Sequence, residues 1–355
     1  LKPVAKKRTK KEQRILKRMW TAVGVLLLVV AAFGFFILKR LYTPNVLIKD
    51  DGYVFVPTGS SFNDVVRILK AEQVLKDEET FRWTAMRMNY TGQIKPGRYR
   101  LKSGMGNREL VLLLRSGKQA PVRLTLNNIR TREQLAERAA AQLELKASSL
   151  LKLMNDRDYL AVKGFSPDNV LAMFLPDTYE LYWNTSPDQF ITRMKREYDK
   201  FWNQRRLKAA SDAGLNPVQI SVIASIVQQE TNKEDEKPVI AGVYINRYRK
   251  DWKLEADPTL VYANGDFTIN RVLNIHKSVD SPYNTYVYKG LPPGPICLPT
   301  QQSIDAVLRF RKHDYMYFCA RDDFSGYHSF ARTYSQHLEN ARRFQRAMDR
   351  RGIMQ

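Results

Sequence analysis

Met19 to Leu38 is a run of twenty residues without a charge. As a helix it would rise about 30 Å, enough to cross the hydrocarbon core of a bilayer. No polar residue marks a solvent face along it, so it does not suit the core helix of a soluble domain. A cleaved signal peptide is the rival reading. Against it, the run and its basic lead-in are long, and no small-x-small cleavage site follows. Trp20 suits an interfacial anchor. Nine lysines and arginines lie among the first eighteen residues, with Glu12 the only acid, whereas Lys39 and Arg40 alone follow the run directly. The positive-inside rule keeps the N-terminus in the cytoplasm and sends everything after Arg40 across. The expectation is a single-pass protein of the cell inner (plasma) membrane whose larger part is extracytoplasmic.

The 355 residues carry 58 Lys+Arg against 36 Asp+Glu, a net charge of +22. From position 41 on the balance is still +12. Such a chain can bind nucleic acid, anionic lipid or an acidic polymer. Zinc-knuckle spacing and a glycine-rich phosphate loop are both missing, which argues against nucleic acid. His276, His313, His328 and His337 show no metal-ligand spacing with cysteines, so neither a metal nor a cofactor is expected. Cys297 and Cys319 could form one disulfide or stay as two buried thiols.

Residues 41–50 read as an extended stalk. Val54 to Val56 reads as a strand stopped by Pro57, and Ser61 caps a helix through Leu69. A helix over Glu78–Met88, a strand over Gly97–Leu101, a helix over Asn107–Ser116 and a strand over Val122–Leu126 follow. The strand, Gly-Ser-Ser-Phe turn, helix, helix, strand order resembles a LysM domain, a glycan-binding module of cell-wall proteins. From Arg132 on the pattern is helical: Glu133–Gln142, Ala147–Met154, Pro187–Gln204, a helix ending near Glu230, and Glu236–Asp251. Asp257 to Thr300 is rich in Pro, Gly, Asn and aromatics and reads as ordered loops. Tyr315–Ala320 and Tyr327–Phe330 read as a hairpin, and Thr333 caps a last helix to about Arg351.

Glu230 is the leading candidate for chemistry. Asn216 caps its helix, Pro217 suits the first helical position, and Gln219 can close a capping box. Ile220, Ile223, Ala224 and Val227 recur as one buried face, and Glu230 continues it at the helix end. A carboxyl there loses hydration, keeps its proton near neutral pH and can serve as a general acid. The plainer reading is a Glu paired with an Arg or turned to solvent.

Several ordered blocks then resemble one family, the membrane-bound endolytic murein transglycosylases (YceG-like proteins). They are Phe174-Leu175-Pro176-Asp177-Thr178-Tyr179, Ala224 to Val227 with Glu230-Thr231, and Val243 to Arg247. Ala256 to Tyr262, Ser281 to Tyr286, Gly290 to Ile296, Tyr317-Phe318 and Gly326 to Phe330 follow in order. The anchor and the LysM-like module match the family's layout too. Three features depart from it. Leu171 and Ala172 replace an acid and a glycine, an acid-Gly turn is missing near Asn127-Asn128, and Gln228 stands where many relatives carry a glutamate.

The resemblance implies an α+β chain. It comprises a basic tail (1–18), a transmembrane anchor (19–38), a LysM-like module (44–121) and a mainly helical catalytic domain with ordered loops and a β-hairpin (122–355). It implies cleavage of the MurNAc–GlcNAc β-1,4 bond of peptidoglycan strands without water, leaving 1,6-anhydroMurNAc ends. Glu230 would be acid and then base. Asp257 is the best candidate for a second carboxylate, although Asp-Pro turn chemistry is the stronger reading of it. Glu255, Glu234 and Glu236 read as solvated charges. Tyr283, Asn284, Thr285 and Tyr286 are candidates for the substrate wall, Leu291 for its edge, and Asn246 and His328 for further contacts. Each could instead be packing. Expected partners are peptidoglycan strands, the bilayer and penicillin-binding synthases. A hydrolytic muramidase and an inactive wall-binding scaffold are the alternatives.

Overall fold

The computed structural model describes residues 9–50, 52–269 and 272–352. The chain divides into two compact units, residues 1–121 with 182–184, and residues 122–181 with 185–355.

The first unit begins with α1 (Lys10–Tyr42), capped by a reciprocal Thr9–Glu12 box. None of its residues is buried, and its mean hydropathy reaches 2.7, so it is long and apolar enough to cross a membrane. Residues 41–50 do not form the expected free stalk. Pro44 bridges Gly106, Val46 bridges Leu75, and Asn45 and Val46 are buried. The Asn45 side chain explains this: it accepts from the Asp77 N–H (2.7 Å) and donates to the Asp77 carbonyl and the Asn107 amide oxygen. With its polar groups satisfied, the segment can be buried.

There follow β1 (Gly52–Val56), α2 (Phe62–Ala71), α3 (Glu78–Arg87), β2 (Gly97–Leu101) and α4 (Asn107–Ser116). β1 and β2 pair antiparallel with Val54 opposite Tyr99. Alternation turns Val54, Val56, Tyr99 and Leu101 inward, against Val65, Leu69, Phe81, Leu110 and Leu114. Ser61 caps α2 as the sequence predicts, and Asp64 completes a reciprocal capping box with it.

In the second unit β3 (Val122–Leu126) pairs antiparallel with β4 (Asp177–Leu181), Leu124 opposite Tyr179. The helices α5 (Arg132–Ala140), α6 (Ala147–Asn155), α7 (Arg157–Ala161) and a 3-10 turn (Val170–Met173) lie between them in sequence. The helix expected over 187–204 is two. α8 (Pro187–Phe201) stops, and Asn203 caps α9 (Gln204–Asp212) by accepting from the Arg206 N–H. Then come α10 (Pro217–Glu230), α11 (Lys237–Arg249), α12 (Asp257–Asn264), a 3-10 turn (Asn274–Ser278) and α13 (Gln301–Leu308). The β5 (Tyr317–Ala320) and β6 (His328–Ala331) hairpin and α14 (Tyr334–Arg350) close the unit.

α10 is the central strut. Its capping box and first-turn proline are as expected, but its burial is not confined to one face. Every residue from Ile220 to Val227 is buried, because α11 and α13 pack against it. The two serines in this stretch survive burial by bonding back along the helix, Ser221 to the Pro217 carbonyl and Ser225 to that of Val222.

Candidate active site

Glu230 is the last residue of α10 and half-buried. Beyond it the Thr231 N–H returns to the Val227 carbonyl, and the Thr231 hydroxyl donates to Glu236 at 3.2 Å. Glu236 is not the solvated charge the sequence suggests. It is 4% exposed and also accepts from the His328 N–H (2.7 Å), with His328 Nδ1 at 2.8 Å. This buried carboxylate ties the end of α10 to the β5–β6 hairpin, which fixes where Glu230 points. His328 is engaged in that tie. Among the described residues it does not line the cleft described next.

Glu230 opens onto a cleft of about 560 Å³, whose walls include Arg130, Gln229, Asp257, Tyr262 and Phe267. Burial raises the Glu230 carboxyl from its ordinary 4.5 to about 7. The nearby Asp257 charge adds to this, and the negative end of the α10 dipole acts in the same direction. Two groups oppose the rise. The Tyr244 hydroxyl donates to Glu230 Oε1 at 2.6 Å, and the buried Arg247 guanidinium attracts the ionised form. Burial and Glu230 itself hold the Tyr244 phenol well above its usual range, so it stays a donor. A carboxyl in this setting can give a proton to an oxygen in the cleft and take one back near neutral pH.

Asp257 meets Glu230 in the same cleft. It starts α12, a helix in a segment expected to be loops, and accepts from the Tyr286 hydroxyl at 2.6 Å. Tyr283 stands behind the cleft wall, its ring 4.6 Å from that of Tyr262 and its hydroxyl on the Asp168 carbonyl. The remaining candidates hold backbone. Asn284 is fully buried, donates to the Lys277 and Val279 carbonyls and accepts from the Tyr286 N–H. Thr285 accepts from the Ala256 N–H and meets Thr259, setting the start of α12. Asn246 donates to the His313 and Tyr315 carbonyls. Leu291 lines a different cavity, beside Asn216 and Pro217 at the other end of α10.

Tyr244 and Arg130 were missed. A tyrosine among the apolar residues of α11 was a usable signal for the first. Arg130 was not legible: its guanidinium reaches Gln229 at 3.2 Å and covers the Phe267 ring, residues about a hundred or more positions away. Gln228 turns aside to accept from the Thr300 N–H (2.6 Å) and the Ser303 hydroxyl, which secures the start of α13. Where the missing acid-Gly turn was expected, Asn128 adopts the left-handed conformation (φ 52°) that Asn tolerates. Cys297 and Cys319 are free thiols.

The electrostatics give a pH prediction. The acid form of Glu230 is lost above about 7, so cleavage should fall about tenfold per pH unit beyond it. Tyr244→Phe removes a bond that favours the ionised form. The falling limb should therefore move to higher pH by about one unit. A pH profile of kcat/KM for both proteins measures this, and an unmoved limb would show that Tyr244 does not tune Glu230.

Residues 54–343 match the YceG-like family. The chain is 28% identical to the endolytic murein transglycosylase of Bacillus subtilis over 300 residues, 79% of this chain and 81% of that protein. It is 27% identical to the endolytic murein transglycosylase of Streptococcus pneumoniae over 331 residues, covering 83% of this chain but only 60% of the relative. The crystal structure of a yceG-like protein from Listeria monocytogenes aligns over 82% of this chain and 99% of that one, with TM-score 0.55 and 30% identity. With the match spanning most of its length, including the Glu230 helix and the cleft it opens onto, the chain belongs to the YceG-like family.

Proposed function

We propose that the chain is an endolytic murein transglycosylase that cleaves MurNAc–GlcNAc β-1,4 bonds within peptidoglycan strands. The observation that carries this is Glu230, a carboxyl raised to about 7 in a cleft and hydrogen-bonded by Tyr244. Glu230 protonates the leaving glycosidic oxygen as the C1–O bond breaks and positive charge develops at C1. Its carboxylate, now favoured by the Tyr244 donor, removes the proton of the C6 hydroxyl of the same MurNAc. O6 then bonds to C1, which closes the 1,6-anhydro ring and returns the proton to Glu230. No water is consumed. Arg130, Tyr262 and Phe267 offer planar groups for stacking and hydrogen bonding along a glycan. Tyr283, Tyr286 and the residues that set their loop support that wall from behind.

In this reading α1 anchors the enzyme in the inner membrane with its N-terminus cytoplasmic. The order β1–α2–α3–β2 supports a LysM-like glycan-binding module over residues 44–121. Tethered cutting beside the bilayer suits the termination of growing strands next to penicillin-binding synthases.

One observation favours a second reading. Asp257 shares the cleft, and a water-activating carboxylate there would make the enzyme a hydrolytic muramidase. Asp257→Asn separates the two. The transglycosylase should stay within about tenfold of wild type, whereas a hydrolase that uses Asp257 as base should lose about 10²–10⁴-fold. Turnover on purified peptidoglycan, followed by release of soluble fragments, measures this.

A further inference from the structure

The last turn of α1 runs directly into the first unit. The Arg40 carbonyl accepts from Asn107 Nδ2 at 3.0 Å, and the Arg40 guanidinium lies 4.4 Å from the Phe36 ring and 5.3 Å from that of Trp83. Gly106 passes so close beneath Leu41 and Tyr42 that a Cβ would stand 3.0 Å from each carbonyl oxygen. α1 is therefore held against the unit at the point where its apolar run ends.

At that junction lies a cleft of about 340 Å³. Its lining includes the Phe36 ring, the buried Asn45 and Asn107, and the basic Lys39, Arg40 and Lys76. The two asparagines are already satisfied, because they bond each other, Asp77, Thr80 and the Arg40 carbonyl. The Asp77 carboxylate, the one acid in the lining, accepts from the Thr80 N–H as the cap of α3. The ammonium groups of Lys39 and Lys76 have no partner among the described residues. Such a site combines spare positive charge with an exposed aromatic ring where the apolar run of α1 ends.

We propose that this cleft binds the phosphate headgroup of an anionic lipid. The phosphate sits between Lys39 and Lys76, and the hydrocarbon chains follow α1 past Phe36. Cations beside a spanning helix interact with lipid phosphates, and exposed Tyr42 extends the surface with an interfacial aromatic. The proposal rests on the reading of α1 as a membrane span. It does not depend on the chemistry of Glu230. Lipid phosphate occurs as the single phosphate of a glycerophospholipid and as the diphosphate of a prenyl carrier, and the test distinguishes them.

The full chain in neutral detergent is titrated by native mass spectrometry. The probes are dioctanoyl phosphatidylglycerol, farnesyl diphosphate, dioctanoyl phosphatidylcholine and inorganic pyrophosphate. At least one of the first two should bind clearly better than phosphatidylcholine, and the tighter of them identifies the source. Each lysine should be worth about fivefold, so Lys39→Gln with Lys76→Gln should weaken that binding by about tenfold or more. Both lysines are exposed, so the double variant should fold normally. Equal binding of phosphatidylcholine, an unchanged double variant, or displacement of the lipid by equimolar pyrophosphate would overturn the proposal. Alkaline carbonate extraction of membranes tests the span separately. A protein released by carbonate would overturn the span and the proposal with it, whereas a retained protein whose double variant binds unchanged would overturn the proposal alone.

Discussion

Glu230→Gln should abolish glycan cleavage, with a loss of at least about 10²–10⁴-fold, while the protein stays folded. The amide keeps the shape of the side chain and can still accept from Tyr244, but it cannot deliver a proton. The same variant should report on what the site costs the fold. Folded Glu230 titrates near 7 and an unfolded one near 4.5, so between those values the native state holds a proton that the unfolded chain releases. Stability contributed by this group is fully present below about 4.5 and is lost as pH rises through about 7. Wild type should therefore weaken relative to Glu230→Gln between pH 5 and pH 8, by about 2 kcal/mol. Denaturant unfolding of both proteins at the two pH values measures it. A constant difference would mean that the carboxyl is not desolvated.

The second large effect concerns shape. Gly294→Ala should destabilise the second unit by about 3 kcal/mol or more. A Cβ at Gly294 would stand 1.9 Å from the Asp168 carbonyl oxygen and 2.8 Å from its carbon. These are backbone atoms, so no side-chain rotation relieves the overlap. The same loop carries Ile296, whose N–H donates to Ser225 inside α10 and whose side chain lines the Glu230 cleft. Displacing the loop should thus lower cleavage as well as the unfolding midpoint. A variant with wild-type stability would show that the loop can move away from Asp168 at little cost.

Local signals made much of the fold legible. Ser61, Asn216 and Thr333 cap the helices they announce, and Gly97–Leu101 and Asn107–Ser116 are the strand and helix their patterns predict. α12 was missed although its ends carry helix signals, Asp257-Pro258 at the start and left-handed Gly265 at the finish. In eight residues the turn chemistry of Asp-Pro competed with them. β4 was missed because its partner β3 lies more than fifty residues away, and one strand announces little by itself.

The site divides along the same line. Glu230 was singled out because its helix carries a readable start and one apolar face, and Asp257 because its Asp-Pro-Thr block resembles the family's; the structure places both in one cleft. Asn284, Thr285 and Asn246, named as candidate substrate contacts, have backbone partners that residue type does not report. Whether in the loop-rich segment (Asn284, Thr285) or on α11 (Asn246), their bonds go to backbone groups that would otherwise be buried unpaired. Glu236 misled in the opposite direction, because the hairpin that buries it lies about ninety residues on. No periodicity within one segment reports such a meeting.

The measurement that bears most directly on the central claim is mass spectrometry of purified peptidoglycan digested by the full chain in detergent, wild type beside Glu230→Gln. The account predicts internal 1,6-anhydroMurNAc ends with wild type and none with the variant. Reducing ends heavier by one water would contradict it and make the enzyme a hydrolase. Anhydro ends that persist in the variant would remove Glu230 from the chemistry.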